Sequence, residues 1–110
     1  MFSPELKKGS MELLILSMLD QAERHGYEIG KLIETRSRGL LEFRISTLYS
    51  VLYRMEDNGW IRGRWVEKEG QRSRCYYRLT AAGRKVLKAQ HENWREFVGI
   101  INELIGPSHA

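Results

Sequence analysis

Residues 46–61 read STLYSVLYRMEDNGWI, and this stretch decides the fold. Four apolar residues at helical spacing predict one buried stripe along a helix: Leu48, Val51, Leu52 and Met55. Ser46 is a suitable N-cap for this helix, and Asn58-Gly59 predicts its end. The stretch therefore predicts an amphipathic helix that packs one face into the core of a small domain.

The opposite face of the same helix is rich in hydrogen-bonding groups. It carries Ser46, Thr47, Tyr49, Ser50, Tyr53, Arg54 and Asp57. Hydroxyl, phenol and guanidinium groups suit the phosphates and base edges of DNA. The alternative interpretation is that the tyrosines pack on a neighbouring element, and the pattern leaves both open.

A β-hairpin is predicted directly after this helix. Ile61–Glu67 and Ser73–Leu79 form its strands, and residues 68–71 supply a turn that contains glycine. Ile61 and Trp65 share one side of the first strand, and Arg72 borders the tip together with Arg74. A short hairpin with arginine at its tip, placed after three helices, is typical of a winged helix-turn-helix. The predicted fold class is therefore mainly α with a β-hairpin.

Two shorter helices precede the deciding stretch. The first is expected from about Ser10 to Ala22, with Ser10 as N-cap. It is apolar on more than one side, so Leu13 and Leu16 are candidates for contact with a second subunit. The second helix is expected from about Tyr27 to Arg36, and residues 1–9 are expected to form an N-terminal tail.

The last helix is expected from the N-cap Thr80 to about Ile105, where Gly106-Pro107 ends it. Its apolar residues follow a heptad pattern, which favours a dimerisation helix over a single long core helix. The chain thus divides into a winged helix-turn-helix region (10–79), a dimerisation helix (80–106) and a tail (107–110). The expected dimer interface is Leu13, Leu16, Leu87, Trp94, Phe97, Val98, Ile101, Leu104 and Ile105.

The charge of the 110-residue chain is concentrated in its middle. Residues 36–78 hold ten basic and five acidic side chains, whereas the rest holds eight and nine, for a net charge of +4. Such a basic segment is the electrostatic footprint of a nucleic-acid binder, although a solvated basic surface has the same composition. A lone cysteine and the absence of a long apolar run indicate a cytoplasmic protein that does not enter a membrane.

The residues that carry catalysis in other proteins are not grouped in this sequence. Its three histidines, His25, His91 and His109, are far apart, and no phosphate-binding glycine motif occurs. Cys75 lies in a predicted strand, where an inert thiol is expected. We therefore expect no enzyme, no cofactor and no metal.

Three segments carry a resemblance to a known family. HGYEI (25–29), STLYSVLYRMEDNGWI (46–61) and RCYYRLTAAGR (74–84) are similar to the PadR family of transcriptional regulators. The length resembles the short subgroup, which has one C-terminal helix in place of a separate dimerisation domain. One departure is Ser50, because family members often carry proline there.

The resemblance implies a homodimeric winged helix-turn-helix repressor that binds operator DNA in bacteria. By similarity Thr47, Tyr49 and Ser50 meet the major groove, and Arg72 and Arg74 stand at the wing. The full expected DNA-binding set is Arg44, Ser46, Thr47, Tyr49, Ser50, Tyr53, Arg54, Lys68, Arg72 and Arg74. A winged-helix module that binds a protein partner and no DNA is the alternative.

The resemblance also points to a ligand. Some similar regulators bind flat aromatic compounds between their subunits through an aromatic residue of the last helix. Trp94 is the candidate in this chain, with Phe97 beside it. The competing interpretation is that Trp94 fills the core of the dimer.

Overall fold

Four helices and three short strands make up the part of the chain that the structure describes. The computed structural model describes residues 3–106, so the expected tail at 107–110 and the first two residues lie outside the described residues. The elements are α1 (Pro4–Gln21), β1 (Arg24–His25), α2 (Gly26–Arg36), α3 (Ile45–Asp57), β2 (Ile61–Val66), β3 (Arg74–Leu79) and α4 (Ala81–Ile105).

Helix α1 begins earlier than the sequence predicts. Ser3 is its N-cap, and the Ser3 hydroxyl accepts a hydrogen bond from the backbone N–H of Leu6 at 3.3 Å. Pro4 follows in the first turn, where a missing N–H costs nothing. The Ser10 hydroxyl instead donates to the Lys7 carbonyl, at 3.0 Å. Residues 4–9, expected as tail, are therefore helical, and Ser10 is not the N-cap.

The core lies where α1, α2 and α3 converge on the sheet. The predicted stripe of α3 is confirmed, because all four of its apolar residues are buried, and Asn58-Gly59 ends the helix with a φ of 79° at Gly59. Leu16 of α1 is 0% exposed within the single chain. A side chain already covered by its own core has no surface left for a second subunit, so the expectation of Leu16 in a dimer interface was wrong.

Helix α3 begins one residue before the predicted cap. Arg44 holds the N-cap position without a side-chain capping bond, and Ser46 lies in the first turn. Its hydroxyl is therefore not needed to satisfy the N-terminal N–H groups of the helix, and it lies on the exposed side.

The sheet contains one strand more than the hairpin alone. Its order is β1-β3-β2, antiparallel throughout, and Arg24-His25 pairs with Tyr77 and Tyr76 of β3. Tyr77 and Leu79 are buried on the inner face, as alternation predicts. Trp65 shares that side with buried Ile61 but is 73% exposed.

Helix α4 is anchored to the domain through its first half, where Val86 and Leu87 pack against the core. The Thr80 hydroxyl caps it, accepting from the Gly83 N–H at 3.0 Å, and also donates to the Gly59 carbonyl. The helix has 25 residues, about 37 Å at 1.5 Å per residue. Residues 91–105 are all exposed, so its second half projects from the domain.

Candidate nucleic-acid interface

The face of α3 that points away from the core is open. Ser46, Thr47, Ser50 and Tyr53 are all exposed, and Tyr53 is 56% exposed. The Ser50 hydroxyl donates to the Ser46 carbonyl at 3.0 Å, which leaves its oxygen free to accept. This face offers several hydroxyl groups and one phenol to a binding partner along about two turns of helix.

The two tyrosines of α3 have different surroundings. Tyr49 is half-buried, and its ring lies against the start of α2, where a Cβ on Gly26 would come within 2.6–2.8 Å of the ring and its hydroxyl. Tyr53 lies on the exposed side, 6.0 Å from the Tyr49 ring between centroids. The interpretation of a packing tyrosine therefore describes Tyr49, whereas Tyr53 stays available for a partner.

A cleft of about 400 Å³ separates the start of α1 from α3. The charged and hydroxyl-bearing residues that line it are Lys7, Arg44, Thr47, Ser50 and Arg54. Arg54 also donates to Glu12 of α1 at 3.0 Å, and its side chain remains mostly exposed. Lys7 was missed by the sequence analysis, because it was assigned to a tail and no local pattern brings α1 beside α3.

The wing contributes the remaining predicted cations. Lys68, Arg72 and Arg74 are exposed at or near the hairpin tip. The Arg74 guanidinium lies over the Tyr27 ring, 5.8 Å from its centroid, so the start of α2 supports the wing.

The outer face of the sheet is strongly basic. Arg62 lies directly opposite Arg78, a like-charge pair that disfavours the hairpin. Arg64 of the same face donates twice to Glu23, and this contact lowers the pKa of the Glu23 carboxyl. These arginines lie close together because the register of β2 and β3 places residues of the two strands side by side.

The second half of α4 presents an unpartnered apolar face. Its exposed apolar residues are Trp94, Phe97, Val98, Ile100, Ile101, Leu104 and Ile105, with Leu104 77% exposed. Leu87, nearer the start of the helix, packs partly on the core, and Leu13 of α1 is half-buried. Among the expected interface residues, those of α4 beyond Gln90 are thus the exposed ones.

Trp94 lies between two clefts at the junction of α1 and α4. One measures about 540 Å³ and also contacts Glu12, Leu13 and Phe97. The other measures about 330 Å³ and is lined mainly by leucines of α1 and by Leu41. Both clefts contain Trp94, so its indole has an open surface on either side.

Cys75 has the surroundings of a structural thiol. It is half-buried in β3, and burial raises the pKa of its thiol above the usual value. A raised pKa keeps the sulfur protonated near neutral pH, which makes it a weak nucleophile.

No helix among residues 3–106 has both the length and the apolarity needed to cross a bilayer.

Comparison with known proteins identifies relatives over most of the chain. Residues 15–89 match the family described as Transcriptional regulator PadR-like family. A transcriptional regulator from Clostridium thermocellum is 33% identical, with a TM-score of 0.88 over 96% of this chain and 100% of that one. A PadR family transcription regulator from Clostridium difficile is 30% identical, with a TM-score of 0.76 over 88% and 99% of the two chains.

A third solved structure contains nucleic acid. Bacillus subtilis PadR in complex with operator DNA is 24% identical, with a TM-score of 0.67 over 73% of this chain and 45% of that one. At that identity the likeness concerns the fold alone. The winged helix-turn-helix predicted from the sequence is confirmed by these comparisons and by the order of the elements.

Proposed function

This chain belongs to the PadR-like family of transcriptional regulators, and from that membership we infer that it is a homodimeric repressor that binds operator DNA sequence-specifically. As a family member it is a DNA-binding regulator. We propose further that it represses transcription as a dimer, that a ligand controls it, and that it acts in the cytoplasm, where bacterial DNA lies.

The exposed hydroxyl-rich face of α3 beside an arginine-bearing wing is the observation that carries the proposal. A helix of this kind fits the major groove, and a basic hairpin fits the adjoining backbone or minor groove. The structure of Bacillus subtilis PadR, which shares the fold, is a complex with operator DNA, and this supports DNA as the partner. Arg44, Thr47, Ser50 and Arg54 meet around the cleft beside α1, and this supports a contact with phosphate there.

The unpartnered face of α4 supports a dimer. Exposed apolar residues on a helix that projects from the domain are a liability unless a second copy covers them. A two-fold dimer presents two α3 helices, so paired half-sites about 34 Å apart are expected in the operator. Footprinting on the DNA upstream of the gene measures this spacing, and a single unpaired half-site would contradict the dimer.

The clefts around Trp94 support a ligand that relieves repression. A planar aromatic compound that stacks on the Trp94 indole would occupy the space between α1 and α4. Glu12 lines the larger cleft and accepts from Arg54 of α3, which gives this space a physical link to the proposed DNA interface.

Gel-shift titration tests the central claim. The protein is titrated with DNA from upstream of its own gene and with an unrelated duplex, at several salt concentrations. Affinity for the upstream DNA should be higher, and it should fall steeply with salt because phosphate contacts release counterions. A flat dependence on salt would favour the protein-partner module instead.

Two variants distinguish a side chain that contacts base edges from one that contacts only the phosphate backbone. Tyr53→Ala should change which sequences are preferred, by about 1–3 kcal/mol for a lost base contact. Arg72→Ala should weaken all duplexes alike and make the salt dependence less steep. If both variants weaken every duplex by the same factor, α3 only positions the protein on DNA.

A reporter gene placed behind the upstream DNA tests repression. Removal of the regulator should raise expression, and a fall in expression would identify an activator.

Tryptophan fluorescence tests the ligand: the planar dye proflavine should quench the protein emission in a Trp60→Phe, Trp65→Phe background. Absence of saturable quenching in this background, where Trp94 is the one remaining tryptophan, would assign Trp94 to the dimer core.

A further inference from the structure

A basic cleft of about 330 Å³ lies between the wing and the corner where β1 meets α2. It is separate from the exposed face of α3 and from the clefts around Trp94. Three cationic and three aromatic side chains dominate its walls: Lys68, Arg72 and Arg74, and His25, Tyr27 and Tyr76. The aromatic residues belong partly to the HGYEI segment, which the proposed interface on α3 leaves without a role.

His25 is held in one tautomer at the back of this cleft. Its Nδ1 accepts the backbone N–H of Glu28 at 3.1 Å, so the neutral ring carries its proton on Nε2. Burial and the nearby charges of Arg74 and Lys68 lower the pKa of His25, against the opposing effect of Glu28. The imidazole is therefore a neutral N–H donor near pH 7.

The cations of the cleft are not neutralised by acidic neighbours in the described part of the chain. The ion pairs found between residues 3 and 106 are Arg24–Glu28, Arg54–Glu12 and Arg64–Glu23. Glu67 and Glu69 flank Lys68 in sequence, but neither lines the cleft. Positive charge concentrated around a concave surface attracts an anion from solution.

The donors of the cleft suit one kind of anion. A guanidinium and an ammonium group supply charge, and an imidazole N–H and phenol hydroxyls supply hydrogen bonds. Arg74 is steadied by the Tyr27 ring beneath it, and a guanidinium presents two parallel N–H groups to phosphate oxygens. The cleft is open to solvent, so a phosphate that belongs to a long polymer can enter while the polymer stays outside.

We propose that this cleft binds one phosphate of the DNA backbone, with Arg74 as its main cation and the Tyr27 hydroxyl as a donor. The proposal rests on the proposed function, because Arg72 and Arg74 of the cleft also belong to the expected wing interface. It extends the interface from the wing to the start of α2. The HGYEI segment then has two tasks, since His25 caps α2 and Tyr27 contacts DNA.

Two variants and a matched control test the proposal. Tyr27→Phe removes only a hydroxyl, and Arg74→Gln removes one charge from the cleft. Arg62→Gln removes the same charge from the same outer face of the sheet but outside the cleft. All three residues are exposed, so the fold should persist, and thermal unfolding of each variant checks this.

Tyr27→Phe should weaken binding about tenfold, as loss of a hydrogen bond to a charged group does. The loss should be equal on upstream and unrelated duplexes, because a phosphate carries no sequence information. Arg74→Gln should also lower the slope of log affinity against log salt by about one. If Arg62→Gln weakens binding as much as Arg74→Gln does, the effect is one of general charge and the proposal is wrong.

The pKa of His25, measured by NMR, distinguishes a contact with phosphate from a purely structural role of the cleft. An NMR pH titration should give a higher pKa for His25 with duplex bound than without, because a phosphate favours the imidazolium. An unchanged pKa would overturn the proposal. Inorganic phosphate alone serves as the second arm: if it shifts His25 while both cleft variants bind DNA normally, the cleft takes free phosphate and the proposal is wrong. Wild type that binds no DNA would overturn the proposed function as well, whereas normal binding by both variants overturns this proposal alone.

Discussion

Gly83 is the residue on which the attachment of α4 depends. It is buried in the first turn of the helix, and a Cβ there would lie 1.9 Å from the Trp60 carbonyl oxygen. That oxygen already accepts from the Thr80 N–H and belongs to backbone that cannot move aside easily. We expect Gly83→Ala to lower the free energy of unfolding by about 3 kcal/mol, measured by urea denaturation.

Gly99 provides the matched control within the same helix. A Cβ at this position meets nothing within 4 Å. Gly99→Ala should therefore raise the free energy of unfolding by about 0.5–1 kcal/mol, the usual gain from alanine in a helix. Both variants are measured at one protein concentration. Equal changes in their free energy of unfolding would mean that helix propensity, and not the contact with Trp60, determines the effect of Gly83→Ala.

At the scale of the element, α2 depends on the protonation of its cap. His25 Nδ1 can accept the Glu28 N–H only while the ring is neutral. The pKa of His25 is below its ordinary value of 6.5, first because of burial and then because Arg74 and Lys68 of the wing oppose the charge, while Glu28 favours it. The unfolded chain therefore binds a proton at higher pH than the folded chain does.

The sign of the pH dependence follows from this order of pKa values. Stability from His25 should be complete above about pH 6.5 and should decline as the pH falls below it. His25→Asn keeps a capping oxygen but does not titrate, so its unfolding free energy should depend less on pH between about 7 and 5. Parallel pH profiles for the variant and the wild type in urea denaturation would contradict this role.

At the scale of the whole molecule, the long helix α4 makes the folded chain elongated. The described residues span 57 × 30 × 21 Å, and the projecting half of α4 carries the apolar face proposed for the dimer. Ile101→Asp would place an unpaired charge in that face, at a cost of several kcal/mol if a second copy covers it. Sedimentation should then detect monomers where the wild type is a dimer.

Asn102→Asp introduces the same carboxylate one residue along α4, away from the heptad positions. This control should remain a dimer. A stable dimer of the Ile101→Asp variant would mean that the contact between copies lies elsewhere on the molecule.

Periodicity alone was enough for much of the fold. The buried stripe of α3, the hairpin strands and the cap at Thr80 follow from local spacing, because side-chain burial on helices and strands repeats with the backbone geometry. The start of α1 was misplaced because Ser3-Pro4 and Gly9-Ser10 are competing start signals. Pro4, Glu5 and Leu6 are exposed, so the earlier start follows from the cap at Ser3 and from Pro4 and not from packing in the core.

Only the tertiary structure decided how distant residues meet. It placed Tyr49 against Gly26, Lys7 beside Arg44, and Arg62 opposite Arg78. It also brought the β1–α2 corner to the wing, which creates the basic cleft. None of these pairings leaves a local signal, because helix packing and strand register bring together segments that are separated by loops in the sequence. By itself the sequence determined which faces are apolar and where positive charge is dense, since both are properties of composition and spacing.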